Sequence, residues 1–168
     1  ITPLVLDLTD EAAVAAALAG REIDILVNNA GMIPPLGPFC DTDPADTARA
    51  LQVNLASVLT VTRHVVPGMQ ARGRGHVIFT GSASAHAVFP NMAAYSATKA
   101  AIAQFAACLR MELSPDGIRV TEIVPGRVET HLYDDIIDEA GRKAMYSTPV
   151  VQPEDVARMV GAVVALPE

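Results

Sequence analysis

The stretch His76-Val77-Ile78-Phe79-Thr80 is a continuous apolar run that ends in Gly81-Ser82-Ala83-Ser84, and an Ala- and Leu-rich segment from Met92 to Leu113 follows it. An unbroken short run of this kind reads as a strand buried on both faces, whereas Ile102, Phe105, Ala106, Leu109 and Leu113 recur at helical spacing. The same pairing of strand and helix repeats on either side. Leu4-Val5-Leu6-Asp7-Leu8 is a β-like run before a helix over Ala12 to Ala19, opened by Thr9-Asp10-Glu11 and closed by Gly20. Ile23-Asp24-Ile25-Leu26-Val27 is a further strand, ending in Asn28-Asn29-Ala30-Gly31. After a Pro- and Gly-rich loop, Thr42-Asp43-Pro44 starts a helix that runs to about Met69 or Arg72. Ser114-Pro115-Asp116-Gly117 stops the helix of Met92 to Leu113, and Ile118 to Val124 forms a strand ending at Pro125-Gly126. Residues 127 to 152 are irregular apart from a short helix near Asp134 to Ala144, and Pro153-Glu154-Asp155 opens a last helix through Val164. This order predicts an α/β fold, a doubly wound parallel sheet with helices on both faces, in one domain spanning residues 1–168.

Composition narrows the function classes. With 168 residues of which 51% are hydrophobic, the chain has enough material for one core. A formal net charge of -7 leaves no basic patch for a phosphate backbone, so nucleic acid is excluded as the expected partner. Mean hydropathy is positive at +0.31, but charges, Gly and Pro interrupt every run before the length of a membrane span, and no membrane partner is expected. Cys40 and Cys108 belong to no Cys-x-x-Cys or Cys/His cluster, which fits reduced thiols in a cytoplasmic protein, with Cys108 placed in the core of its helix. His64, His76, His86 and His131 lack metal-ligand spacing, so no metal site is expected. Asp41, Asp43 and Asp46 lack the Gly and terminal Glu of a calcium loop, and read as charges complementing a helix amino terminus.

The chemistry-bearing stretch is Tyr95-Ser96-Ala97-Thr98-Lys99, at the head of the Met92 to Leu113 helix. Positions i and i+4 share a helix face, so an ammonium stands beside a phenol. The pair is expected to favour the phenolate; lowering a phenol from about 10 towards 7 requires roughly 4 kcal/mol of differential stabilisation. Ser82 sits where a buried strand ends, and in an open α/β sheet the carboxyl ends of strands are where ligands bind.

Taken together, Asp7 after an apolar strand, Asn28-Asn29-Ala30-Gly31, Asn54, Ser82, Tyr95-x-x-x-Lys99 and Pro125-Gly126-Arg127-Val128-Glu129-Thr130 resemble the single-domain short-chain dehydrogenases/reductases. The resemblance covers essentially the whole chain and implies a Rossmann-like fold. It also implies hydride transfer between NADP or NAD and a small-molecule alcohol or carbonyl substrate, in a homodimer or homotetramer. Tyr95 would be the general acid/base, Lys99 would lower its pKa and hold the nicotinamide ribose, and Ser82 would orient the substrate oxygen. Asn54 would hold a water linking Lys99 to solvent. Asp7 and the amide of Leu8 would meet the adenine, Asn28 would line the cofactor pocket, and Val128 and Thr130 would contact the carboxamide and phosphates. Arg119 to Thr130 and Val151 to Ala157 look most like the branch acting on 3-hydroxy acids and serine-like alcohols, with NADP favoured. The family's first two strands, the Gly-rich phosphate turn between them and its final strand find no counterpart here, and Ile1 opens directly on an apolar run. The chain is therefore expected to be a piece of a longer enzyme with an open sheet edge beside Val27. Two other readings compete. One is a catalytically silent scaffold that retains the oligomer interface. The other is a sugar-nucleotide epimerase, which shares Tyr-x-x-x-Lys but is disfavoured by Asn28-Asn29-Ala30-Gly31 and by the lack of a substrate domain.

Overall fold

The computed structural model describes residues 2–166. Its centre is a three-stranded parallel sheet in the order β1 (Ile25–Asn28), β2 (Gly75–Thr80), β3 (Ile118–Ile123). The register sets Leu26 beside Val77 and Val77 beside Val120, so these side chains share one face of the sheet. On that face lie α3 (Ser57–Arg72) and α4 (Ala93–Leu113). Val58, Val65 and Met69 of α3 and Ile102, Ala106, Leu109 and Leu113 of α4 close over Val77, Phe79, Ile118 and Val120 as one core. The Phe79 ring meets Phe105 edge-on, with centroids 5.7 Å apart. Helix α1 (Glu11–Leu18) packs on α3, and α6 (Pro153–Ala165) returns to β3, where the Arg119 guanidinium donates to Leu166 O at 2.8 Å.

Local chemistry accounts for the helix ends. Asp10 caps α1 by accepting from Ala13 N, and Asp43 caps α2 (Pro44–Leu51) by accepting from Ala45 N, with Pro44 in the first turn. Asp138 caps α5 (Glu139–Met145) through Gly141 N. Of the acidic trio, Asp43 is this cap and Asp46 sits in the first turn of α2.

Three expectations are corrected. Leu4 to Asp7 has no regular secondary structure and Leu8 opens a turn, with Val5 100% exposed: an apolar run becomes a strand only where a neighbour completes its ladder, and none pairs with it among the described residues. For the same reason β1 is an open edge whose Ile25 and Val27 are 45% and 41% exposed. The helix expected from Asp43 to Arg72 is two α-helices joined by a π-helical turn, Gln52–Ala56, in which Ser57 Oγ donates to Val53 O at 2.6 Å. Cys108 is exposed, because the buried stripe of α4 runs through residues 102, 106, 109 and 113 and leaves position 108 outside it. No helix among the described residues is long and apolar enough to cross a membrane.

Candidate active site

The carboxyl ends of the three strands open on the same side, and the segments that leave them wall a cavity of about 790 Å³. Val27 of β1 and Asn29 to Met32 after it, Thr80 at the end of β2 with Gly81 and Ser82, and Pro125, Gly126, Val128 and Thr130 after β3 form this lining. The first turns of α4 add Tyr95 and Lys99, and α6 closes the rim with Val156, Ala157 and Val160. The wall is apolar with a few convergent polar groups, the form of a small-molecule site. Among the described residues no group of three or more His, Cys, Asp or Glu could hold a metal ion.

Several of these polar groups are fixed to the main chain. Lys99, only 7% exposed, donates from Nζ to Thr80 O at 2.8 Å, and this Nζ lies 5.9 Å from the centroid of the Tyr95 ring. Ser82 precedes a single 3-10 turn, Ala83–Ala85, and its Oγ accepts from Ser84 N at 3.1 Å and Ser84 Oγ at 3.0 Å. Thr130 begins the turn His131–Tyr133, its Oγ1 accepting from Leu132 N. Val128 is tied to Val151 by a parallel bridge, with Glu129 N donating to Val151 O at 3.0 Å.

The site brings together Ser82, Tyr95, Lys99, Val128 and Thr130 around one cavity. It does not bring in the others. Asn28 turns its amide away to Thr62 Oγ1 of α3 at 3.1 Å, and its neighbour Asn29 lines the cavity instead, because adjacent strand residues point to opposite faces. Asp7 and Leu8 do not line the cavity; Asp7 accepts from Thr9 N and Oγ1 at 2.9 and 2.8 Å, leading the chain into α1, and these bonds hold its carboxyl below the usual range. Asn54 is 2% exposed and stands behind the wall. Its Oδ1 accepts from Met32 N at 2.8 Å, while Nδ2 donates to Met32 O at 2.8 Å and Thr98 Oγ1 at 3.2 Å. The side-chain amide hydrogens are therefore both committed to protein acceptors, and the amide acts as a clamp on the β1 loop.

The electrostatics also differ from the expected pairing. Burial pushes the Tyr95 phenol above its ordinary value; the Ser82 hydroxyl opposes the shift and Tyr133 adds to it. Burial likewise lowers Lys99, and the Glu122 carboxylate opposes that shift. Desolvation thus dominates the phenol, and the opposing influence comes from Ser82 and not from Lys99. Reading the sequence missed Asn29, Tyr133 and Glu122. Strand alternation alone puts Glu122 on the same face as Val120, towards α4, and could have drawn notice to it.

Comparison with known proteins agrees with this geometry. The short chain dehydrogenase family model matches residues 1–141. An uncharacterized short-chain type dehydrogenase/reductase of Sinorhizobium fredii is 42% identical over 170 residues, covering all of this chain and 68% of that protein. The NADP-dependent 3-hydroxy acid dehydrogenase of Salmonella typhi is 34% identical, over 96% of this chain and 69% of its own. A solved structure, the closed form of serine dehydrogenase complexed with NADP+, superposes with a TM-score of 0.92 at 34% identity, covering 96% of this chain and 69% of that one. With the family model extending from before β1 to beyond the loop that carries Val128 and Thr130, this chain belongs to the short-chain dehydrogenase family.

Proposed function

We propose that residues 1–168 form a partial Rossmann-like domain carrying the proton-transfer and nicotinamide-binding part of an NADP-linked alcohol/carbonyl oxidoreductase, with small 3-hydroxy acids and serine-like alcohols as substrates. The observation that carries the proposal is that Tyr95, Ser82 and Lys99 line the same cavity while Lys99 is locked to Thr80 O. The cavity fits the nicotinamide end of a dinucleotide. Gly31 opens the approach beside Lys99, since a Cβ there would stand 3.3 Å from Asn54 Oδ1 and 3.8 Å from Lys99 Nζ. Asn29, Gly31, Lys99, Val128 and Thr130 would hold the cofactor; NAD is the alternative. When bound it supplies or accepts the hydride.

The chain's own residues do the rest. Ser82 Oγ orients the substrate oxygen, and the Tyr95 hydroxyl gives or takes the proton on it. The Lys99 ammonium supports the phenolate during that transfer. The free thiols of Cys40 and Cys108 support a cytoplasmic enzyme. Leu51 and Met111 remain exposed on the helices next to the site, and we assign that surface to a homodimer or homotetramer contact. The rival reading is a catalytically silent scaffold that retains the oligomer interface without turnover. Steady-state oxidation of serine and 3-hydroxybutyrate with NADP+, run beside NADPH-binding fluorescence, separates the two. Tyr95→Phe is expected to lose about 10²- to 10⁴-fold in kcat while still binding NADPH. Full turnover in Tyr95→Phe would sink the assignment of the proton to Tyr95, and absence of NADPH binding by the unsubstituted chain would favour the scaffold.

A further inference from the structure

Gly81 separates Thr80, whose carbonyl holds Lys99, from Ser82. A Cβ at Gly81 would stand 2.1 Å from Glu122 Oε1 and 2.9 Å from its carboxyl carbon, so the carboxylate packs directly on the Gly81 backbone. Glu122 lies opposite Phe79 in the β2–β3 register, and Gly81 N donates to Ile123 O at 2.8 Å, which fixes this approach. Oε1 is buried and has no hydrogen-bond partner among the described residues. A carboxylate oxygen in that state is costly unless a nearby cation compensates it. Lys99, held at the carbonyl of the adjoining Thr80, is the buried ammonium nearest in the chain frame. No ion pair joins it to Glu122, whose charge nonetheless strengthens its hold on its proton. The other titratable groups acting here are Tyr95 from α4 and Tyr133 from the turn after Thr130. Arg110 of α4 reaches β3 further down, at Val120 O, and His76 sits on the opposite face, bonded to Thr121.

The geometry points to Glu122 as a further positioning residue of this site: seated on the Gly81 backbone, its carboxylate favours the Lys99 ammonium at the Thr80 carbonyl, and Gly81 is the residue that makes room for it. The inference rests on the role proposed for Lys99 but is tested without turnover. Lys99 and Lys143 are the two lysines of the chain, and Lys143 is exposed. Labelling lysine with carbon-13 at Cε therefore gives two signals, one of them an internal reference. In Glu122→Gln the Lys99 signal is expected to titrate about one pH unit lower, with Lys143 unmoved, and Glu122→Asp to recover part of the shift. Gly81→Ala, which displaces the carboxylate without removing it, is expected to move the signal the same way and decides the matter if Glu122→Gln does not fold by circular dichroism. An unmoved Lys99 titration in a folded Glu122→Gln, or in Gly81→Ala where Glu122→Gln does not fold, overturns the proposal. A shifted Lys99 in a chain without NADP-linked turnover would overturn the functional reading and leave this one standing.

Discussion

Replacing Asn54 by Ala removes both bonds that hold Met32. Met32 N and Met32 O each meet the Asn54 amide at 2.8 Å, and the amide is 2% exposed. A buried polar group left unpaired costs about 1–3 kcal/mol. Two such groups bound the loss at about 2–6 kcal/mol, and because half-buried Met32 lines the cavity, where water can reach it, the lower part of that range applies. We expect a loss of about 2–3 kcal/mol, read as a lower urea midpoint with unchanged slope in circular dichroism melts. Asn54→Asp keeps an acceptor for Met32 N but turns an oxygen towards Met32 O and buries a charge, so it should cost at least as much as Ala. An Ala variant within about 0.5 kcal/mol of the parent, the scale of an ordinary surface substitution, would refute the clamp.

Three other outcomes follow from the packing and charges. Gly75→Ala puts a Cβ 2.5 Å from Met69 Sδ and 2.8 Å from Met69 Cβ, and since Met69 is fully buried, overpacking should cost about 1–3 kcal/mol; an unchanged melting temperature would contradict it. His76 is buried with its pKa lowered, chiefly by burial and further by Arg119, so the unfolded chain binds the proton more readily. Its contribution is complete above the ordinary histidine value of about 6.5 and lost as pH falls towards the folded value, and stability that did not decline on acidification through that window, relative to His76→Gln, would count against it. Tyr95 without cofactor should ionise above the ordinary tyrosine value of about 10, so an ultraviolet titration of Tyr95→Phe should lack a transition on the alkaline side; loss of one near neutrality would reverse the assignment of burial as the dominant cause.

The architecture was legible where each element's signal is carried by its own residues. The apolar run of β2 and the spacing of Ile102, Ala106, Leu109 and Leu113 survive unchanged because the core they build is internal to this chain. Leu4 to Leu8 carries an equally good strand signal and forms no strand, since its realisation depends on a neighbour and not on its composition. The Asn28/Asn29 pair shows the limit at a strand end: two identical side chains point opposite ways, and only register tells which faces the cavity. The π-helical turn around Asn54 has no composition of its own, so a continuous helix was the natural expectation.

What joins the site to the fold is its dependence on backbone carbonyls. Lys99 is placed by Thr80 O, Asn54 holds Met32 N and O, and Thr98 Oγ1, which accepts from Asn54, itself donates to Tyr95 O at 2.7 Å. These contacts run from the end of β1, through the widened turn and α4, to the end of β2. The relative positions of phenol, ammonium and hydroxyl are therefore inherited from the pairing of β1 with β2, in which Asn28 lies opposite Phe79. A slip of one residue there would carry Met32 and Thr80 out of step and part the two halves of the site. The side chains could be recognised from their spacing, but their chemistry depends on a main-chain frame that the sheet register supplies, and this is why Gly31 and Gly81, which have no side chain to contribute, matter to the site as much as the residues they admit.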